Sequence, residues 1–355
     1  MVSKNAVRVM VIDDSALVRQ TMLAVLTERD GFLLETAGNG AIGEKKIPVF
    51  KPDVIILDLE MPVMDGMTLL KKMMKTNPIP VIICSSITPQ GSQKAIEALE
   101  AGAVDVIQKP NVGTKEFLEE SKIKLQDAIR GACSVKVSKR TMPELKVSPK
   151  YTADVILSRG TSFSGTQTDK VVVVGASTGG TEALRVFLEV LPADIPPILI
   201  VQHMPKHFTK AFANRLNGLC KPYISEAVDG TKVEKGCVYI APGDEHLLLK
   251  RQGRDYVIQV TTGPLVSRHR PSVDVLFRSA ARYGGKNMVG IIMTGMGDDG
   301  AQGMLEMKQA GAFNIAQDEK TSVVFGMPRE AIKREAADII LPLEKIAAKM
   351  MEKVG

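Results

Sequence analysis

Short hydrophobic runs alternate with amphipathic stretches in the N-terminal part of the chain. The predicted strands, rich in Val and Ile, are Val7–Ile12, Val54–Leu57, Val81–Cys84 and Val104–Gln108, with a weaker candidate at Phe32–Thr36. Apolar residues at helical spacing predict helices at Ala16–Arg29, Met67–Thr76 and Gln93–Ala101. Regular alternation of this kind predicts one doubly wound α/β domain with a parallel sheet and helices on both faces.

A second alternation of strands and helices begins at Val171. Its predicted strands are Val171–Val174, Ile198–Gln202, Val238–Ala241, Tyr256–Thr261 and Val289–Met293. Its predicted helices are Glu182–Leu191, Val273–Tyr283, Gly303–Ala310 and Leu343–Glu352. The pattern predicts a second α/β domain, again built on a parallel sheet.

The stretch between the two patterns has the composition of a linker. Residues 131–169 are rich in Ser, Pro, Gly and basic residues and lack a regular apolar period. We therefore expect domains at 5–130 and 170–355, joined by a linker at 131–169. The apolar piece Val155–Leu157 is unusual for a free tether and is a candidate for docking on either domain.

Composition narrows the class of protein. The chain has 355 residues, 45% of them hydrophobic and 24% charged, as is ordinary for globular domains. The net charge is +6, but the basic residues are scattered, aromatic residues are only 4% and Trp is absent, which argues against nucleic acid as a partner. The four cysteines form no C-x-x-C pair, and no run is long and apolar enough for membrane insertion. We expect a reduced, cytoplasmic protein.

Five polar residues follow strands of the first predicted sheet. They are Asp13, Asp14, Asp58, Ser85 and Lys109. The carboxyl ends of parallel strands lie at one edge of a sheet, so these side chains should converge there. Three neighbouring carboxylates favour a bound Mg²⁺, while the hydroxyl and the ammonium group suit an anionic group. For any one carboxylate taken alone, a helix N-cap is the alternative explanation, with Asp14 or Ser15 capping the helix that begins near Ala16.

A glycine-rich turn follows the first strand of the second domain. Gly175–Gly180 places Ser177 between a strand and a helix, where backbone N–H groups could stabilise an oxyanion. The segment lacks the second glycine of a dinucleotide site and the lysine of a P-loop. It matches the G-x-S-x-G pattern of a nucleophile elbow, although a capping serine in a turn is an equally simple reading.

Partners for a nucleophile also follow predicted strands. Among His203, His207, His246 and His269, the first has the best position for a general base, because it directly follows a strand. Asp298 and Asp299 follow another strand, and the spacing does not choose between them. The chain order of Ser, His and Asp differs from that of α/β-hydrolases.

The N-terminal motifs resemble the receiver domains of two-component response regulators. The resemblance spans about 7–130 and lies in Val9–Ser15, Ile56–Gly66 and Lys109-Pro110. It implies that Asp58 accepts a phosphoryl group from a histidine kinase, with Mg²⁺ at the cluster of Asp13, Asp14 and Asp58. Val106 stands where receivers usually carry an aromatic switch residue, so we expect signalling to depend more on Ser85 and loop movement.

The C-terminal motifs resemble the chemotaxis protein-glutamate methylesterase family. The motifs are Gly175–Gly180, Gln202–Pro205, Ala241–His246 and Gly295–Gly300. The resemblance implies Ser177 as nucleophile, His203 as base and Asp299 rather than Asp298 as the orienting acid, with Thr178 and Met296 lining the site.

The resemblance also implies a function. It is demethylation of glutamate methyl esters and deamidation of glutamines on chemoreceptors, without a cofactor for the ester reaction. Phosphorylation of the receiver would activate it, because the unphosphorylated receiver would cover the catalytic cleft. The alternative is a non-catalytic regulator with a protein-binding output domain.

Overall fold

The computed structural model describes residues 6–86, 88–109, 115–135, 151–157 and 170–354, without the side chains of 89 and 115–119. The chain divides into two compact units, Met1–Ser148 and Pro149–Gly355. Within the expected linker 131–169, residues 136–150 and 158–169 lie outside the described residues, as does Pro110 of the receiver-like motif.

The first unit alternates strands and helices. Its strands are β1 (Val7–Ile12), β2 (Phe32–Ala37), β3 (Val54–Leu57), β4 (Val81–Ser85) and β5 (Asp105–Gln108). Its helices are α1 (Ala16–Val25), α2 (Gly40–Phe50), α3 (Gly66–Thr76), α4 (Pro89–Glu100) and α5 (Lys115–Ser134). The sheet is parallel with the order β2-β1-β3-β4-β5, which confirms the doubly wound fold.

Three helices of the first unit, α1, α2 and α5, differ from expectation. Helix α1 ends at Val25 rather than Arg29, because Leu26 leaves the helical conformation and Glu28–Asp30 forms a separate 3-10 turn. Helix α2 was not predicted, since Pro48 and two glycines obscure its pattern; the proline falls in the last turn. Helix α5 continues to Ser134, so the first residues of the expected linker are helical.

The described residues of the second unit contain nine further strands. They are β6 (Val171–Ala176), β7 (Ile198–Gln202), β8 (Tyr223–Glu226), β9 (Cys237–Ile240), β10 (His246–Gln252), β11 (Asp255–Thr261), β12 (Met288–Ile292), β13 (Phe313–Gln317) and β14 (Ile339–Leu341). The helices are α6 (Gly180–Glu189), α7 (Phe208–Asn217), α8 (Val273–Gly284), α9 (Ala301–Gln309), α10 (Met327–Lys333) and α11 (Leu343–Val354). Among the described residues, none of the helices is both long and apolar enough to cross a membrane.

Seven of these strands form one parallel sheet, in the order β14-β13-β12-β6-β7-β9-β8. The predicted strand at Tyr256–Thr261 is not part of it; β10 and β11 form a separate antiparallel hairpin. The hairpin shares a buried apolar core with the sheet and with α8. The chain leaves β6 toward β7 on one side and returns at β12 on the other. A crevice for ligands is therefore expected at the carboxyl ends of these three strands.

Two candidate sites at the carboxyl ends of the sheets

Three carboxylates and one ammonium group meet at the end of the first sheet. Asp13 follows β1, Asp58 follows β3, and Lys109 follows β5. Lys109 Nζ lies 2.7 Å from Asp58 Oδ2 and 3.3 Å from Asp13 Oδ2. One carboxylate oxygen from each of Asp13, Asp14 and Asp58 lies within 4.8 Å of the other two. The structure thus brings these charged residues together, as predicted from their positions directly after strands.

This acidic cluster carries more negative charge than its own cation balances. Burial raises the pKa of both Asp13 and Asp58, even though Lys109 acts against the shift. Asp13 Oδ2 is buried and makes no hydrogen bond within the described residues, although Lys109 stands nearby. Hard oxygen donors in this arrangement fit a divalent cation such as Mg²⁺.

The turns around the cluster are tightly built. A side chain at Gly66 would place its Cβ 2.0 Å from the carbonyl oxygen of Asp58, so the chain needs glycine where it turns after β3. Ser15, not Asp14, caps α1, because its hydroxyl accepts from the Val18 N–H at 3.4 Å. The capping alternative for Asp14 is therefore not realised, and its side chain is exposed.

Ser85 and Val106 lie on the neighbouring strands. The hydroxyl of Ser85 is buried at the end of β4 and donates to the Gly91 carbonyl at 3.3 Å. Val106 is buried in β5, where it pairs with Ile83 of β4. Its aliphatic side chain thus lies in the core of the first unit.

In the second unit, Ser177 directly follows β6 in a turn held on both sides. Its N–H donates to the Thr294 carbonyl at 3.0 Å, and its own carbonyl accepts from the Gly180 N–H at 2.6 Å. Gly179 has φ 77°, a conformation that favours glycine. Helix α6 starts at once, which places the serine at a helix N-terminus.

His203 lies beside Ser177 because their strands are in register. Ala176 of β6 pairs with Gln202 of β7, and the His203 N–H donates to the Ala176 carbonyl at 3.1 Å. The imidazole Nε2 is 2.8 Å from Asp299 Oδ2. The other ring nitrogen, Nδ1, is buried and has no hydrogen-bond partner among the described residues.

The start of α8 holds Asp299. Its Oδ1 accepts from the Ser272 hydroxyl at 2.8 Å and the Asp274 N–H at 3.0 Å, and its Oδ2 accepts from the Val273 N–H at 2.8 Å. The carboxylate therefore lies on the positive end of the helix dipole. Asp298 instead lies 3.8 Å from an Arg268 nitrogen and 3.6 Å from an Arg334 nitrogen. Of the two aspartates, Asp299 is the one that contacts the histidine.

Two neighbouring buried carboxyls have opposite protonation preferences. Burial, reinforced by the charge of Asp299, raises the pKa of Asp274 to about 7. Burial also opposes ionisation of Asp299, but its hydrogen bond to His203 and the histidine charge outweigh that and lower its pKa to about 2. Asp299 is thus the ionised member of the pair, and it can only accept hydrogen bonds.

Sequence reasoning missed several residues that surround this centre. The ring of His269 stacks on that of His203, with centroids 3.7 Å apart and planes 7° from parallel. Burial, together with the charge of His203, lowers the pKa of His269 to about 3, so the ring is neutral. Ser272 and Asp274 could have been noticed as polar residues at a helix start. His269 offered no signal beyond being a histidine.

Of the other two histidines, His246 contacts the support of Asp299, since its Nδ1 accepts from the Ser272 N–H at 3.3 Å. His246 is buried, and its Nε2 bonds the Pro264 carbonyl at 2.9 Å. His207 is exposed just before α7. The ligand atoms of His203, His269 and Asp299 are close enough to suggest a metal site. Stacked rings aim their nitrogen lone pairs along parallel planes, and both Asp299 oxygens already accept hydrogen bonds, so the arrangement suits orientation better than metal binding.

Thr178 and Met296 flank the serine. Thr178 is buried, and its carbonyl accepts from the Thr294 hydroxyl at 3.0 Å. Gly295 approaches Ser177 so closely that a Cβ there would lie 2.8 Å from the serine Cβ. The Met296 N–H makes no hydrogen bond within the described residues. It is thus a candidate donor to an oxyanion.

Comparison with known proteins adds two domain matches and close relatives. Residues 172–350 match the CheB methylesterase family, and residues 9–121 match the response regulator receiver domain. A protein-glutamate methylesterase/protein-glutamine glutaminase 3 from Geobacter metallireducens is 56% identical over 352 residues, covering 98% of this chain and 99% of that protein. A relative named protein-glutamate methylesterase/protein-glutamine glutaminase 2, from Oleidesulfovibrio alaskensis, is 53% identical, with 98% of each covered.

A solved structure is also similar. The crystal structure of the Thermotoga maritima CheB methylesterase catalytic domain matches with a TM-score of 0.51 and 42% identity. The match covers 52% of this chain and 99% of that one.

Proposed function

The chain belongs to the CheB methylesterase family, and from that premise we propose that Ser177, His203 and Asp299 hydrolyse glutamyl methyl esters of chemoreceptors. The enzyme is a protein-glutamate methylesterase with protein-glutamine glutaminase activity, joined to a receiver domain. The relatives match 98% of the chain, and their names include both activities, so a non-catalytic regulator is not favoured.

The contact between His203 and Asp299 carries the proposal. Because ionised Asp299 only accepts, His203 Nε2 holds the proton and donates it at 2.8 Å. His203 Nδ1 is then the basic nitrogen, which is buried and has no hydrogen-bond partner in the described part of the chain. It takes the proton of the Ser177 hydroxyl as the serine oxygen attacks the ester carbonyl.

The remaining steps follow acyl-transfer chemistry. The tetrahedral oxyanion is stabilised by backbone N–H groups at the start of α6 and by that of Met296. The proton on His203 Nδ1 passes to the leaving methoxide, so methanol departs and an acyl-enzyme remains. His203 Nδ1 then takes a proton from water, whose oxygen attacks the acyl carbon; the bond to Ser177 Oγ breaks, the proton passes to that oxygen, and the receptor side chain leaves as glutamate. With a glutamine side chain, ammonia leaves in place of methanol.

The receiver supplies the control. We propose that Asp58 accepts a phosphoryl group from a histidine kinase, with Asp13, Asp14 and Asp58 holding Mg²⁺, which would neutralise the phosphoryl oxygens. Lys109, 2.7 Å from Asp58, would pair with the new charge, and the Ser85 hydroxyl would bond a phosphoryl oxygen. Residues 5–130 and 170–355 would be the two domains, working in the cytoplasm on the receptors' cytoplasmic parts.

The test is methanol release from methylated chemoreceptors. The wild-type chain should release methanol, faster when a phosphodonor is present. Ser177→Ala should lower the rate by about 10⁴-fold or more, because no other group can form the acyl-enzyme. Near-normal turnover by Ser177→Ala would overturn the assignment of the nucleophile.

A further inference from the structure

We infer that residues 151–157, here called the strap, position His203 and Asp299 for catalysis, although their sequence lies in a stretch with the composition of a linker. The strap belongs to the second unit and contains a short 3-10 turn, Ala153–Val155. The inference rests on the proposed function, since it assigns the strap a part in that reaction.

The first anchor is a backbone link to a strained turn. Tyr151 forms a parallel bridge with Val266, and its carbonyl accepts from the Ser267 N–H at 2.9 Å. The turn from Val266 to His269 is closed by a pair of hydrogen bonds between those two residues. Ser267 and Arg268 have φ of 48° and 71°, a backbone conformation that is strained for residues other than glycine. Such a turn persists only where its surroundings hold it.

The second anchor is apolar. Ala153, Ile156 and Leu157 pack in one cluster with Leu248, Val266 and Val275. The cluster spans the hairpin, the turn and α8, so the strap ties three elements together. Ile156 also lies against the loop before the turn, where a Cβ on Gly263 would fall 2.3 Å from its Cδ1.

The third anchor is a buried cation on α8. The side chain of Arg278 is only 3% exposed. Its Nη1 lies 2.8 Å from Asp154 Oδ1 and 3.2 Å from the Leu157 carbonyl, while Glu306 binds its other nitrogens. A buried guanidinium needs its donors satisfied, so loss of the strap would leave Nη1 to be paired anew.

These anchors lead directly to the catalytic pair. The turn presents His269, whose Nδ1 bonds the Ser267 carbonyl at 2.8 Å and whose ring stacks on His203. The Ser267 hydroxyl donates to Asp274 at 2.9 Å, at the helix start that holds Asp299. Both members of the pair therefore rest on elements that the strap fixes. Small displacements of catalytic groups lower rates steeply, about 10²-fold for 1 Å.

The experiment compares full-length variants of the strap. Asp154→Ala combined with Ile156→Ala removes the ion pair and the apolar contacts of the Ile156 side chain, while Val155→Ala, at an exposed position of the same turn, is the matched control. We expect kcat for methanol release to fall about tenfold with KM nearly unchanged, because the strap acts on catalytic geometry. Hydrogen exchange at the Ser267 amide should become faster. The single variant Ile156→Val, which keeps Asp154, should recover most of the rate.

Three results would overturn the inference. They are faster exchange at Ser267 with unchanged kcat, unchanged exchange in the double variant, and an equal fall in kcat for Val155→Ala. Should the double variant fail to fold, Ile156→Ala alone is judged by the same two readouts. An inactive wild-type chain would instead count against the proposed function, so the two failures are distinguishable.

Discussion

The two sites lie at equivalent edges of their sheets but treat charge in opposite ways. At the first, Lys109 pairs with two of the three carboxylates, and a buried oxygen of Asp13 makes no hydrogen bond to any residue that the structure describes. At the second, Asp299 accepts four hydrogen bonds, and the pKa of its neighbour Asp274 is raised to about 7. The first site stores unbalanced charge, whereas the second is already balanced.

This difference in charge balance indicates what each site must do. Unbalanced buried charge is costly, so it is tolerated where a cation or a phosphoryl group will arrive and change the balance. A hydrolytic centre must instead hold its groups ready before the substrate binds, which requires that every orienting contact be satisfied. The first site is built to change state, and the second to keep its geometry.

The largest effect is expected from Asp299→Asn at the site of Ser177, His203 and Asp299. The neutral amide lacks the negative charge that holds the hydrogen bond from the Nε2–H group of His203. The tautomer with a proton on Nε2 and a basic Nδ1 is therefore lost. We expect kcat for methanol release to fall by about 10⁴-fold. Asp298→Asn is the matched control, since Asp298 faces two arginines and not the histidine. Equal losses in both variants would contradict the assignment of Asp299.

At the unbalanced site, Asp58→Asn removes the phosphoryl acceptor. We expect stimulation of methanol release by a small acyl phosphate to disappear entirely, while the basal rate without phosphodonor stays, because the catalytic residues are untouched. Labelling with ³²P from the phosphodonor should be lost in parallel. Stimulation that survives in Asp58→Asn would place the acceptor elsewhere.

Asp274→Asn tests the protonated neighbour through stability. The raised pKa means that the folded state keeps a proton that the unfolded state releases above about pH 4. Its contribution is complete below pH 4 and is lost as pH rises through about 7, with a slope of at most about 1.4 kcal/mol per pH unit. Denaturant unfolding from pH 4 to 8 should show that this fall is reduced in Asp274→Asn. An identical pH dependence in both proteins would show that Asp274 is ionised in the folded state.

The smallest expected effect concerns the cation. Asp13→Asn removes one ligand and relieves repulsion, so we expect Mg²⁺ to bind about tenfold more weakly while the metal-free unit becomes slightly more stable. Titration of the thermal midpoint with Mg²⁺ measures both changes. Glu35→Gln, which removes a surface ion pair with Lys46, is the control and should leave the affinity unchanged. Tighter Mg²⁺ binding in Asp13→Asn would contradict the proposed ligand set.

More of the fold and of the site could be predicted from sequence for the first unit than for the second. Its strands are short local patterns, and its charged residues follow strands whose ends must meet. In the second unit, the choice between Asp298 and Asp299 depends on the start of α8, which is distant in sequence. The stack of His269 and the docking of the strap also depend on contacts between segments far apart. Such contacts leave no periodic signal in the sequence. Nor does any periodic pattern show that Tyr256–Thr261 pairs with β10 in an antiparallel hairpin instead of joining the parallel sheet.

The most direct test of the account is the rate and position of labelling by a serine-directed fluorophosphonate on the full-length chain. We predict one adduct, on Ser177, formed faster with a phosphodonor in the wild type but not in Asp58→Asn. An adduct on another serine, or labelling of Ser177 that no phosphodonor accelerates in the wild type, would contradict a hydrolytic centre governed by the acidic cluster.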